Sequence, residues 1–185
     1  MRQIELSYEE LKQEFINELA KLGNEGLYQR GILATSEGDQ VTARRMWLIP
    51  DGLTLYCHTD GTTRKCKQIN ANPNVAVVAG FLQIEGVASV RGHPLAKGNT
   101  DFIEAFKESQ PEKYESYKSN YQNLERDLVL IKIEPKRIAM FKYTDPSSGI
   151  ERGLHILNVA KEEAHRVVGI VKKDSDPKGA PAYSD

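Results

Sequence analysis

Arg44-Arg45-Met46-Trp47-Leu48-Ile49, then Leu53-Thr54-Leu55-Tyr56-Cys57-His58, then Thr59-Asp60-Gly61-Thr62-Thr63-Arg64-Lys65 follow one another with only Pro50-Asp51-Gly52 between the first two. The alternation over 41–49 predicts a strand, Pro50-Asp51-Gly52 a turn, and 53–57 the returning strand. A helix of about two turns is expected over 63–70. It buries Cys66 and Ile69 and stops before Asn72-Pro73, because a residue preceding proline avoids the helical region. Hydroxyls, backbone N–H groups and two cations thus meet at one helix start. That combination is an anion site, and its natural ligand is a phosphate: the helix end offers unpaired donors and a positive dipole, and Arg and Lys add charge-assisted bonds.

Outward from this stretch the period alternates between strand and helix. Leu11, Phe15, Leu19 and Leu22 stand at helical spacing over 6–22, with Ser7 as N-cap and Gly23-Asn24 as the stop. An apolar run at 31–35 and the turn Glu37-Gly38-Asp39 make the 41–49 strand the second arm of a hairpin. The apolar run 75–81 reads as a barrel-interior or interface strand, and 84–91 as an alternating one with Gly86 and Gly92 as bulge or turn points. Residues 94–126 read as a helical insertion, with Phe102, Ile103 and Phe106 on one face, a break at Pro111, and Tyr114, Tyr117, Tyr121 and Leu124 on another. Strands 128–133 and 137–143, split by Glu134-Pro135, form the last clear pair, and 155–159 is a further short strand. The fold expected is mainly β with helical additions, an antiparallel split barrel in one domain over 1–171. The Pro-, Asp- and Lys-rich stretch 172–185 reads as a disordered tail.

Hydrophobic residues make up 39% and charged residues 28% of the 185, at a formal net charge of -1. Neither a general nucleic-acid binder nor a membrane protein has this balance, since the cations are scattered and the apolar runs are far shorter than a bilayer crossing. Met1-Arg2-Gln3-Ile4-Glu5 lacks the apolar core of a secretory signal, so a cytoplasmic location is expected. Cys57 and Cys66 form no metal-type spacing, and His93, His155 and His165 show none either, so no metal site is expected.

The order and spacing of Arg45-Met46-Trp47-Leu48-Ile49, Tyr56-Cys57-His58-Thr59, Thr63-Arg64-Lys65 and Asn72-Pro73-Asn74-Val75 resemble the pyridoxamine 5'-phosphate oxidase-like split-barrel flavoproteins. The resemblance covers residues 31–92, roughly a third of the chain, and lies on the side of the short general stress protein 26 type. It implies a homodimer binding FMN at its interface. Arg45 would open the flavin-contacting strand, with the backbone of Met46, Trp47 and Leu48 along the ring edge. His58 and Thr59 would sit at the end of the next strand, and Thr63, Arg64 and Lys65 would grip the phosphate. Two departures stand out. Phe81 occupies the place of a flavin-touching glutamine of the oxidase, and residues 174–185 show no counterpart of the oxidase's C-terminal Arg and His.

Each of these residues has a plainer reading. Thr63-Arg64-Lys65 alone could be a capped surface helix with solvated cations, Trp47 a packing aromatic, and the tyrosine stripe at 114, 117 and 121 a packing face. Arg44 and Arg45 are neighbours on a strand and face opposite sides. Arg45 is taken as the site residue by motif, and Arg44 as a solvent or dimer-contact residue. The function expected is that of an FMN-dependent oxidoreductase acting on a small redox substrate or a pyridine nucleotide, with the flavin carrying the chemistry. The same residues serve a non-enzymatic flavin-binding, storage or sensing protein, and similar barrels hold a deazaflavin or haem.

Overall fold

The computed structural model describes residues 2–21, 30–122, 127–143 and 152–168. In chain order these form β1 (Arg2–Glu5), α1 (Tyr8–Lys21), β2 (Arg30–Glu37), β3 (Gln40–Trp47), β4 (Ile49–Asp51), β5 (Thr54–Asp60) and α2 (Arg64–Ala71). There follow β6 (Asn74–Ala79), β7 (Leu82–Arg91), α3 (Thr100–Ser109), α4 (Pro111–Tyr121), β8 (Leu128–Tyr143), β9 (Arg152–Asn158) and β10 (Glu163–Val168). All strand pairs are antiparallel and run β1-β10-β9-β8-β7-β6-β2-β3, with β5 joined to β4 and β8. This is the mainly antiparallel, split-barrel architecture expected, with helices added to it.

The barrel is split by β8. Its first half, up to Ile133, lies between β5 and β7; from Arg137 onward it lies between β7 and β9. The expected strand pair over 128–143 is therefore one long strand. Glu134-Pro135 does not end it, because the missing proline N–H falls at a bulge where Glu85 pairs with Arg137 and Gly86 with Pro135, leaving Lys136 as the extra residue. Lys136 O accepts instead from Val159 N at 2.9 Å. Gly86 is required there: a Cβ would lie 2.6 Å from Glu134 O.

One further reading is corrected, two strands lie outside the expectation, and some expected features fall outside the described residues. Ile49-Pro50-Asp51 is not simply turn but a short strand paired with β5, proline being tolerated in so short and marginal a strand. β1 and β10 were not expected, as their polar sequences RQIE and EAHRVV carry little apolar alternation; β10 is defined by pairing to β9, and β1 by pairing to β10. The expected helix end at Leu22, Gly23 and Asn24 lies outside the described residues, as do Leu124 of the insertion and the tail 172–185.

α1 forms as its sequence requires: Ser7 Oγ accepts from Glu10 N at 3.4 Å, and Leu11, Phe15 and Leu19 fall on one buried stripe. These three join Leu33, Met46, Leu48, Val77, Ile84, Ile131 and Ile138 in the barrel core. A second apolar cluster lies between the barrel wall and the α3–α4 hairpin, built from Ile49, Tyr56, Leu130, Phe102, Phe106, Tyr114 and Tyr117. Asp101 pins α3 to the wall through Arg91 at 3.1 Å, Lys132 at 3.5 Å and the Tyr56 hydroxyl at 3.1 Å. Burial opposes its charge. The Phe102 N–H, Tyr56, Arg91 and Lys132 nevertheless hold its carboxyl below the ordinary range.

Candidate functional site: a cationic cradle at the start of α2

The turn between β5 and α2 is built by its own side chains. Asp60 Oδ1 accepts from Thr62 N at 2.8 Å and from the Thr62 hydroxyl at 2.6 Å, and Asp60 O accepts from Thr63 N at 3.2 Å. Gly61 lets the turn run against residue 127. Its N–H donates to Asp127 O at 2.6 Å, and a Cβ would meet the Asp127 carboxylate at 2.8 Å. The Thr63 hydroxyl donates to Asp60 O at 2.7 Å instead of folding over the helix, so no side chain caps the first turn of α2. The Cys66 and Lys67 amides donate to Thr63 O at 3.0 and 3.4 Å, which leaves those of Arg64 and Lys65 to face a ligand.

Lys65 is held over this turn. Its ammonium donates to Thr59 Oγ1 at 2.7 Å and Thr63 Oγ1 at 3.3 Å, two neutral oxygens that orient the charge without neutralising it. Arg64 is exposed beside it. The third cation is Arg44. Its guanidinium lies against the barrel end, donating to Leu33 O at 3.0 Å, Thr35 Oγ1 at 2.7 Å, the Thr42 hydroxyl and Gln68 Oε1 at 3.4 Å. Burial lowers its pKa and the charge of Arg64 lowers it further, so Arg44 and Arg64 are near enough to repel. Among the described residues, no carboxylate forms an ion pair with Arg44, Arg64 or Lys65.

The residues singled out in the sequence divide into four groups. Thr59, Thr63, Arg64 and Lys65 come together in the cradle. Met46 and Leu48 are buried in the core, so only their backbone can face a ligand. Trp47 and His58 turn toward the helical hairpin, their ring centroids 6.0 Å apart, with His58 packed on Tyr117 at 5.1 Å and Tyr121 at 5.4 Å. Arg45 is exposed on the outer sheet face, opposite Ile32. Arg44, read as a solvent or dimer-contact residue, is instead half-buried and bonded at the barrel end.

Sequence reasoning missed Arg44 and Gln68 as partners of the cradle. Gln68 Oε1 accepts from Thr35 at 2.6 Å, Thr42 at 2.8 Å and Arg44, and so ties α2 to the β2–β3 hairpin. One signal was present: Gln68 falls between Cys66 and Ile69 on the apolar face of α2, where a polar side chain needs partners. The two cysteines do no evident chemistry here. Both are buried, and burial raises the Cys57 thiol to about 12. Among the described residues no group of three His, Cys, Asp or Glu side chains could hold a metal, and no helix is long and apolar enough to cross a membrane.

A hollow of about 390 Å³ opens at the other end of α2, lined by Ala34, Ser36, Val41, Asn72, Asn74 and Lys136 among others. It holds one cation, Lys136, where the cradle gathers three. The chemistry of anion binding lies with the cradle.

General stress protein 26 of Bacillus subtilis is 29% identical over 114 residues, 60% of this chain and 77% of that protein. A Listeria innocua structure of the pyridoxamine 5'-phosphate oxidase type is 27% identical, covers 70% of this chain and 97% of its own, and superposes with a TM-score of 0.51. A pyridoxamine 5'-phosphate oxidase-related, FMN-binding protein of Nostoc punctiforme shares the fold, with a TM-score of 0.57 over 85% of this chain and 96% of that one at 14% identity. No family model matches the sequence. The relative, the fold and the motif order together support the resemblance of this chain to the pyridoxamine 5'-phosphate oxidase-like split-barrel proteins.

Proposed function

We propose that this protein binds FMN through the cradle and acts as a flavin-dependent oxidoreductase. The observation that carries the reading is the convergence of Arg44, Arg64 and Lys65 on the uncapped start of α2, with no carboxylate ion-paired to them among the described residues. A phosphate monoester fits such a cradle, since three cations and a helix end would compensate a dianion. In this reading Lys65 and Arg64 hold the phosphate, Arg44 supplies the field behind it, and Thr59 and Thr63 aim the ammonium. The hydroxyl proton of Thr59 remains free to donate, because its oxygen accepts from Lys65. The backbone of 46–48 and the Trp47–His58 pair would border the ring. When bound, the flavin supplies the hydride or electron transfer.

A flavin-binding protein without turnover would use the same residues. Reduction of the bound flavin by a pyridine nucleotide with an added acceptor separates the two: turnover supports the oxidoreductase, and a flavin that no such donor reduces supports the binding protein. The visible spectrum of the purified protein separates flavin from deazaflavin and haem. The cradle itself is tested by affinity. FMN is expected to bind at least about tenfold more tightly than riboflavin, because charge-assisted bonds contribute about 1.5–3 kcal/mol each and only FMN makes them. Equal affinities in a fluorescence titration would remove the phosphate role of the cradle.

A further inference from the structure

A second hollow, of about 300 Å³, opens where residues 93–96 meet the α3–α4 hairpin. Leu95, Ala96, Ile103 and Tyr114 give it apolar walls, and His93, Lys118 and Gln122 bring its polar atoms. No residue of the cradle, of β5 or of α2 lines it.

The segment that leads into α3 is held by its own bonds. His93 O accepts from Ala96 N at 2.9 Å and from the Asn99 side-chain amide at 3.0 Å, and Ala96 O accepts from Asn99 N at 3.0 Å. Asn99 is buried, so water does not compete for these bonds. The ring of His93 is fixed as well: its Nδ1 accepts from Leu95 N at 3.2 Å, which puts the proton of the neutral imidazole on Nε2. One directed donor is therefore left at the hollow.

Lys118 supplies the charge. It stands one turn beyond Tyr114 on the same face of α4, and among the described residues no carboxylate forms an ion pair with it. No Asp or Glu is among the lining residues either. Leu95 and Ile103 pack against the apolar cluster of Tyr56, Phe102, Phe106 and Leu130, so hydrocarbon backs the walls.

The class of ligand follows from this balance. Apolar walls suit an apolar body, and one ammonium with neutral donors beside it matches a single negative charge; a phosphate dianion would find one cation here where the cradle offers three. The volume lies at the lower end of the roughly 300–1,000 Å³ of small-molecule sites, so the body is small. We propose that this hollow binds a small monocarboxylate, its carboxylate held by Lys118 and the His93 Nε2–H and its apolar body against Leu95, Ile103 and Tyr114. The site shares no residue with the cradle and does not rest on the flavin reading.

Phenylacetate is the probe, titrated calorimetrically into the full chain at neutral pH. Saturation at about one molecule per chain is expected. Phenylacetamide, the same body without the charge, binds about three- to tenfold more weakly, and Lys118→Gln weakens phenylacetate by a similar factor, the effect of one charge-assisted bond at a partly open site. Ala96→Phe fills the hollow and abolishes binding. Lys161→Gln removes an exposed cation from the turn before β10 and changes nothing.

Absence of saturation, or an affinity that Lys118→Gln leaves unchanged in folded protein, overturns the site. Lys118 is exposed, so its variant decides the matter whatever Ala96→Phe does to folding. Weakening by Arg64→Ala and not by Lys118→Gln would place the carboxylate in the cradle, and overturns the site equally. Failure of FMN to bind while phenylacetate still saturates removes the phosphate reading of the cradle and leaves this site standing.

Discussion

At the scale of single residues, two neighbours on one strand have opposite fates. Arg44 and Arg45 point to opposite faces of β3, and burial with hydrogen bonding decides which joins the cradle: Arg44 is bonded to Leu33 O, Thr35 and Gln68, while Arg45 stands exposed. Arg64→Ala is expected to weaken FMN binding by about 2–3 kcal/mol, roughly thirty- to more than a hundredfold, with the fold intact by circular dichroism. Arg44→Gln should lose affinity as well, and Lys97→Ala, an exposed cation in the turn that precedes α3, should lose none. Equal retention of FMN by all three variants would remove the cradle assignment. A different residue sets a pH dependence. His155 is buried, with neither ring nitrogen hydrogen-bonded among the described residues, and burial, then Lys142 and Arg166, lower its pKa from 6.5 to about 4. The folded protein thus binds this proton less readily than the unfolded chain. Its contribution is complete above pH 6.5 and lost as the pH falls toward about 4, on the order of 2 kcal/mol, with His58 adding in the same direction. In urea denaturation at pH 7 and pH 5, His155→Leu should show a smaller loss than the parent. Parallel losses would place the acid sensitivity elsewhere.

Elements show what local sequence can and cannot convey. The helix of α2, the β2–β3 hairpin and the α3–α4 insertion were legible, because their periodicity, turn residues and the stop at Asn72-Pro73 are local properties. β1 and β10 were not, since a short polar strand becomes a strand only when a neighbour offers its edge, β9 to β10 and β10 in turn to β1. The cradle was legible in half: Thr63-Arg64-Lys65 is contiguous, whereas Arg44 and Gln68 meet it through the packing of α2 on the hairpin, 20 and 4 residues from Arg64. The β8 strand shows the same limit. Proline at 135 reads as a break, and only the pairing with Gly86 shows a bulge on which one strand changes neighbours. Gly86→Ala therefore tests an element. The added methyl would press on Glu134 O at 2.6 Å, backbone that cannot rotate away, and a loss of about 2–3 kcal/mol is expected in chemical denaturation. A loss within about 0.5 kcal/mol, the range of an ordinary surface change, would mean that the bulge relaxes freely.

For the whole molecule, the outer face of β3, β2 and β6 poses the remaining question. Arg45, Ile32 and Val78 stand on one rung across the three strands, and Ala43, Ala34 and Ala76 on the next. Ile32 is 43% and Val78 45% exposed, and Phe81 at the end of the β6–β7 hairpin is 86% exposed. A sheet face of this kind, apolar over adjacent strands, ordinarily meets another surface. A second copy related by a two-fold axis would cover it on both chains at once, in keeping with the homodimer that the family resemblance implies. We expect a homodimer in sedimentation equilibrium. Val78→Asp should convert it to a folded monomer, since a carboxylate at the centre of the contact would be buried without a partner. FMN occupancy then carries the argument one step further. If the flavin lies between subunits, the Val78→Asp monomer loses it although Arg44, Arg64 and Lys65 are untouched; if the monomer keeps FMN with parental affinity, the cradle of a single chain is sufficient and the interface has no part in the site. A parent protein that sediments as a monomer with full flavin occupancy would refute both the dimer and the shared site.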